Sequence, residues 1–241
     1  MFKSTIKKII GLFGYKLINA IDYELENTSK YNKKLIQEFS QYTMTSDIKI
    51  FSLIKAFEYV NKFKIPGDFV ECGIYSGGNL MLLKKLIKKY KLKKKIYGYD
   101  TFSGMTNPSI HDIKIDKTNG IKKHSKKNNW YGYSLDKVKK NFKEVNLSLK
   151  NIKFIKGKVE ETLKIKKNLP NKISILRLDT DFYESTKAEL NYLYPLLSKG
   201  GVIIIDDYGS WLGSKKAVDE YFLKKKYWMN FIDHSARMII K

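Results

Sequence analysis

Two acids in a row close the apolar run in the stretch GVIIIDDYGS, residues 201–210. Asp206 and Asp207 follow Val202 to Ile205, and an unbroken β-branched run of that kind is a strand buried on both faces. A third acid, Asp179, ends a similar run, KISILRLD. Neighbouring parallel strands lie about 5 Å apart, so two adjacent strands with these ends bring three carboxylates together. Left alone, the three repel and raise one another's pKa values. A divalent cation removes that problem, and oxygen-only ligation points to Mg²⁺ or Ca²⁺, or to Mn²⁺, rather than zinc. Read by itself, the Asp206–Asp207 pair also fits a helix cap after the strand. His111, His124 and His234 stand apart in the chain and read as structural or surface residues. Asp181, two residues past Asp179, fits two roles. It is a general base facing an incoming hydroxyl, or the cap of the helix that YESTKAEL begins.

A second cluster lies in VECGIYSGGN, residues 70–79. Gly73 lets the chain turn sharply after a strand, and Gly77 and Gly78 let backbone N–H groups approach a ligand. The spacing is not the G-x-G-x-x-G fingerprint of dinucleotide-binding folds, which argues against a nucleotide-dependent oxidoreductase. Asp100 ends the next strand, where an acid commonly takes a ribose hydroxyl pair. Glu71, Gly73 and Asp100 together indicate a nucleoside ligand without demanding a pyrophosphate. Cys72, the one cysteine, lies in an apolar run and reads as a buried, inert thiol.

The elements that must hold these residues alternate. Strands are expected at DFVECG, KKIYGYD, NIKFIKG, KISILRLD and VIIID, with helices at NLMLLKKLIKKY, LDKVKKNFKEV, STKAELNYLYPLLSKGG and SKKAVDEYFLKKK. YWMNFID and RMIIK are expected to close the sheet as an antiparallel pair. This is the order of a mostly parallel sheet with helices on both faces, where ligands bind beyond the carboxyl ends of the strands. Residues 1–64 read as a helical N-terminal extension and 65–241 as the main domain. Residues 103–133 are polar and aperiodic, and read as a lid.

Net charge is +23, yet Arg177 and Arg237 are the only arginines among 47 basic residues. Arginine is the residue suited to bidentate phosphate and base contacts, so the lysines read as a solvated surface and no nucleic-acid partner is expected. A basic nucleic-acid or membrane-surface module is the rival, and it leaves the strand-end acids unexplained. No apolar run reaches 18 residues, so no spanning helix is expected. The basic, amphipathic MFKSTIKKIIGLFGYKLINAID packs on the domain or a second copy, or lies on a membrane surface.

YTMTS, GDFVECGIYSGGN, YDTFSGM, LDTDFYESTKAELNYLYPLLSKGGVIIIDDYG and KKAVDEYF resemble the macrocin O-methyltransferase (TylF-type) family over residues 42–241. The resemblance implies an α/β, Rossmann-like class I methyltransferase with a seven-stranded sheet. It implies methyl transfer from S-adenosylmethionine to a sugar hydroxyl with a divalent cation, Mg²⁺ or Mn²⁺, in the making of a surface polysaccharide or a glycosylated natural product. It assigns Glu71, Gly73, Tyr75 and Gly77, with Gly78 beside them, to the methionine end of the cofactor. Asp100 falls to the ribose, and Val159 and Glu160 to the adenine. Asp179, Asp206 and Asp207 become metal ligands, Asp179 also bordering the donor, and Asp181 becomes the base. In some relatives a histidine takes the proton, for which His234 is the candidate. The implied partner is a sugar or glycan acceptor, the expected assembly a homo-oligomer, and the expected location the cytoplasm or the inner face of its membrane.

Overall fold

The computed structural model describes residues 12, 25, 28–115 and 131–241. The amphipathic N-terminal segment and the middle of the expected lid lie outside the described residues. Seven strands form one sheet: β1 (Asp68–Cys72), β2 (Ile96–Asp100), β3 (Ile152–Lys156), β4 (Ile173–Leu178), β5 (Leu197–Ile205), β6 (Met229–Phe231) and β7 (Arg237–Ile240). Their spatial order is β3-β2-β1-β4-β5-β7-β6. The first five run parallel, and β7 pairs antiparallel with both β5 and β6, as the sequence leads one to expect.

The helices are α1 (Lys30–Phe39), α2 (Asp47–Lys62), α3 (Gly78–Lys89), α4 (Leu135–Glu144), α5 (Val159–Thr162), α6 (Tyr183–Leu193) and α7 (Leu212–Phe222). Strand side chains alternate between two hydrophobic layers. Phe69, Ile96, Ile175, Val202 and Ile204 join one core, and Val70, Cys72, Tyr97, Leu176 and Ile203 the other. Both faces of the central strands are dry, which is why they read as continuous apolar runs.

One boundary differs from expectation. The helix expected through Gly201 ends at Leu193, because Pro195 cannot continue it, and Ser198 to Gly201 extend β5 instead. Residues 30–42 and 47–62 are helical, and they pack against the sheet. Leu35, Ile36, Phe39, Ile54 and Phe57 share one buried core with Phe69 and Ile175. That packing carries the segment between α1 and α2 to the carboxyl edge of the sheet.

Candidate active site

The switch point lies where β1 turns toward β2 on one side and β4 on the other. Cys72 pairs in register with Leu178, and Leu178 with Ile205, so the three chains end level. The amide of Asp206 donates to the carbonyl of Leu178 at 2.9 Å, and that of Asp179 to Cys72 at 3.0 Å. Gly73 is obligatory here. It sits at φ +78°, and a Cβ on it would stand 1.9 Å from the carbonyl oxygen of Asp179. The donor-side turn and the acid-bearing strand therefore touch through backbone.

A cavity of ≈ 670 Å³ opens above these ends. Gly73, Tyr75, Asp100, Val159 and Glu160 line one part of it. Asp179, Asp181, Asp206, Asp207 and His234 line the other. Glu71, Gly77 and Gly78 are not on the wall. Glu71 is buried beneath it, and the two glycines lead the turn into α3. Tyr75 holds a left-handed backbone at φ +48°, and its ring packs on Tyr133 at 5.4 Å. Asp100 Oδ2 accepts from the amides of Ile74 (2.9 Å) and Tyr75 (3.2 Å), and Oδ1 from that of Phe102 (2.7 Å). Burial holds the Asp100 carboxyl above its ordinary range despite those bonds. Two buried carboxylate oxygens on the donor side, Glu71 Oε2 and Glu160 Oε2, have no hydrogen-bond partner. Orphaned acceptors of this kind are costly, and a ligand with N–H donors in the cavity can satisfy that of Glu160.

On the acid side the grouping differs from the expected one. The carboxylates that converge are Asp179, Asp181 and Asp207, with ligand atoms within 4.8 Å of one another. Asp206 is turned to two cations instead. Its Oδ1 accepts from Arg177, and its Oδ2 from Lys49 Nζ at 2.7 Å. The reason is charge. Arg177 is fully buried and also bonds Glu71 Oε1 (2.7 Å), Asp179 Oδ2 (2.6 Å) and Thr45 Oγ1 (3.0 Å). Burial pulls Asp206 upward, but Arg177 and Lys49 outweigh it and hold its carboxyl below the usual range. Burial and the nearby acids lift the others. Asp179 is pushed up to about 8, Asp181 is raised, and Asp207 lies well above the carboxylate range. Asp181 sits at φ +65°, a strained backbone for an aspartate, and its amide donates to Asp207 Oδ2 at 3.2 Å. It does not cap α6; the amide of Tyr183 in that helix's first turn donates to Asp112 Oδ1 at 2.7 Å.

Sequence reasoning passed over several of these residues. Thr45 arrives from the segment between α1 and α2, where only the YTMTS motif hinted at its place, and Lys49 from the first turn of α2. Arg177 carried a signal, as one of two arginines among so many lysines. Asp112 is buried and also accepts from the amide and hydroxyl of Ser109 at 2.6 and 2.7 Å. With the amide of Ile115 donating to Ser210 and that of Leu212 to Ile113, it straps residues 109–115 beside Trp211. Among the described residues no helix is long and apolar enough to cross a membrane.

The chain is similar to known methyltransferases. The family Macrocin-O-methyltransferase (TylF) matches residues 19–237. The chain is 31% identical over 187 residues to a demethyldecarbamoylnovobiocin O-methyltransferase of Streptomyces niveus, covering 76% of this chain and 68% of that one. It is 30% identical over 169 residues to an 8-demethyl-8-(2,3-dimethoxy-alpha-L-rhamnosyl)-tetracenomycin-C 4'-O-methyltransferase of Streptomyces olivaceus, covering 69% and 62%. The solved structure of the O-methyltransferase NovP superposes with a TM-score of 0.74 at 28% identity, over 83% of this chain and 82% of that one.

Proposed function

The chain belongs to the macrocin O-methyltransferase family, and on that premise we propose that it methylates a sugar hydroxyl with the aid of a divalent cation. It is an S-adenosylmethionine-dependent O-methyltransferase. The observation that carries the finer reading is the acid cluster at the strand ends, sharing one cavity with the donor-side turn. A sugar acceptor is supported by the relatives, one of which is named for a rhamnosyl group. The carrier is a glycosylated natural product or a polysaccharide.

The donor side fits S-adenosylmethionine. Asp100 takes the ribose, Val159 and Glu160 the adenine, and Glu71 and the Gly73–Gly78 turn the methionine end. The orphaned oxygen of Glu160, on the cavity wall, supports the adenine end. The bound donor supplies an electrophilic methyl group.

The acid side fits a hard cation. Among the described residues Glu71, Asp179, Asp181, Asp206 and Asp207 face Arg177, Lys49 and, from the cavity wall, Lys114, which leaves negative charges in excess. A divalent ion and a sulfonium donor together offset them. Asp179 and Asp207, with Asp206 beside them, would hold the ion. Magnesium commonly takes few protein carboxylates and fills the rest with water and substrate oxygens. The ion, when bound, supplies Lewis acidity that makes a hydroxyl easier to deprotonate.

Asp181 receives the acceptor's proton. It stands past the strand end on the cavity wall, its backbone anchored on Asp207. Trp211 and the 109–115 strap form the acceptor wall and keep water from the reacting atoms. The fold's main contribution is alignment of acceptor oxygen, methyl carbon and sulfur. The test is methyl transfer from labelled donor to a panel of deoxysugar glycosides, for wild type, Asp181→Asn and His234→Gln. Asp181→Asn should lose turnover while His234→Gln keeps it. The reverse result moves the base to His234, and no labelled sugar at all sinks the acceptor class.

A further inference from the structure

We propose that Lys49 is a resident counter-ion of the acid cluster, one that a divalent cation displaces, so that this side chain sets how tightly the protein holds its metal. The inference rests on the metal reading above and concerns a residue to which that reading gives no ligand or acid–base role.

The two cations on Asp206 are unlike. Arg177 is locked by Glu71, Asp179, Thr45 and Asp206 at once, and its side chain is 3% exposed. A planar guanidinium held in that many directions has nowhere to go. Lys49 makes one hydrogen bond among the described residues, to Asp206 Oδ2 at 2.7 Å, and its side chain lies on the cavity wall. An ammonium on a flexible stem is a mobile point charge. It reaches Asp206 from the first turn of α2, whereas Arg177 reaches it from β4.

Further acids act on the same ammonium. Asp233 and Asp207 both act on the Lys49 charge, and Asp233 Oδ2 accepts from Ser46 at the start of α2. Released from Asp206, the ammonium is still attracted by Asp233 and Asp207. Without the ion, Lys49 neutralises the one acid that the converging trio leaves out. With the ion present, like charges a few ångströms apart repel, and the lysine is the partner able to leave. The exchange costs metal affinity and keeps Asp206 Oδ2 from standing without a cation of its own.

The experiment is Mn²⁺ binding followed by electron paramagnetic resonance of the free ion, on wild type, Lys49→Met, Lys49→Gln and Lys49→Arg. Melting in EDTA and in excess Mn²⁺ is recorded alongside. The Met and Gln variants should bind Mn²⁺ about tenfold more tightly, because the competing charge is gone. The Arg variant, still charged, should not. In EDTA the Met and Gln variants should melt about 2–4 °C below wild type, and Mn²⁺ should close that gap. Wild-type binding with unchanged or weaker affinity in both neutral variants overturns the inference and leaves the metal reading standing. No Mn²⁺ binding by any of the four proteins overturns the metal reading and the inference with it.

Discussion

Glu71 and Arg177 face one another in register across β1 and β4, joined at 2.7 Å and sealed from solvent. The pair ties the donor side of the cavity to the acid side, because the same guanidinium holds Asp179 and Asp206. Replacing Arg177 by Met leaves Glu71 and Asp179 without their cation and Asp206 with Lys49 alone. Removing one partner of a buried ion pair costs about 3–5 kcal/mol, and denaturant unfolding should show a loss of that size. Lys in its place keeps the charge but not the fork, and should recover only part.

Gly73 gives a sharper local test. An alanine there must shed both the left-handed backbone and the 1.9 Å collision with Asp179. Because the collision is with backbone, no rotamer relieves it. Gly73→Ala should lose S-adenosylhomocysteine binding in calorimetry and destabilise the fold together. Retained binding at wild-type affinity would mean that the turn is not where the donor sits.

Asp112 ties the 109–115 strap to α6 through the amide of Tyr183. Asp112→Ala deletes a cap and frees the strap, at a stability cost of about 1 kcal/mol. The kinetic effect should fall mainly on KM for the acceptor, with donor affinity unchanged. Steady-state kinetics with each substrate varied separate the two.

Glu189 makes a pH prediction. It is fully buried on α6, accepts from Thr180 Oγ1 at 2.9 Å, and has one oxygen without a partner. Burial holds its carboxyl well above the ordinary value of 4.5. The folded state therefore keeps a proton that the unfolded chain releases above that value. Stability is lost as pH rises above about 4.5, until the folded group also ionises. Glu189→Gln removes the effect. Its melting temperature relative to wild type should increase between pH 5 and pH 8; a constant difference contradicts the assignment.

The strand order and strand ends were legible because both follow from dry, continuous runs and from the acids that stop them. The Gly73 turn was legible for the same reason, since a glycine there answers to a backbone collision. The partition of the four aspartates was not. Which of Asp181 and Asp206 turns toward Asp179 depends on where Arg177 and Lys49 put their charges, and those come from different layers of the fold. The end of α6 was misplaced because the glycines after Pro195 read as a helix stop, whereas their place is the start of β5. Asp112 escaped notice because its partner, the amide of Tyr183, lies 71 residues away in an unrelated motif.

Asp207 belongs both to the expected ligand set and to the carboxylates that converge, and it touches neither Arg177 nor Lys49 among the described hydrogen bonds. The most direct measurement is methyl transfer by Asp207→Asn beside calorimetric binding of S-adenosylhomocysteine to the same protein. Transfer should fall about 10²–10³-fold with donor affinity unchanged, and wild-type transfer should stop in EDTA and return with Mg²⁺. Undiminished turnover by the variant, or by the wild type in EDTA, contradicts the account.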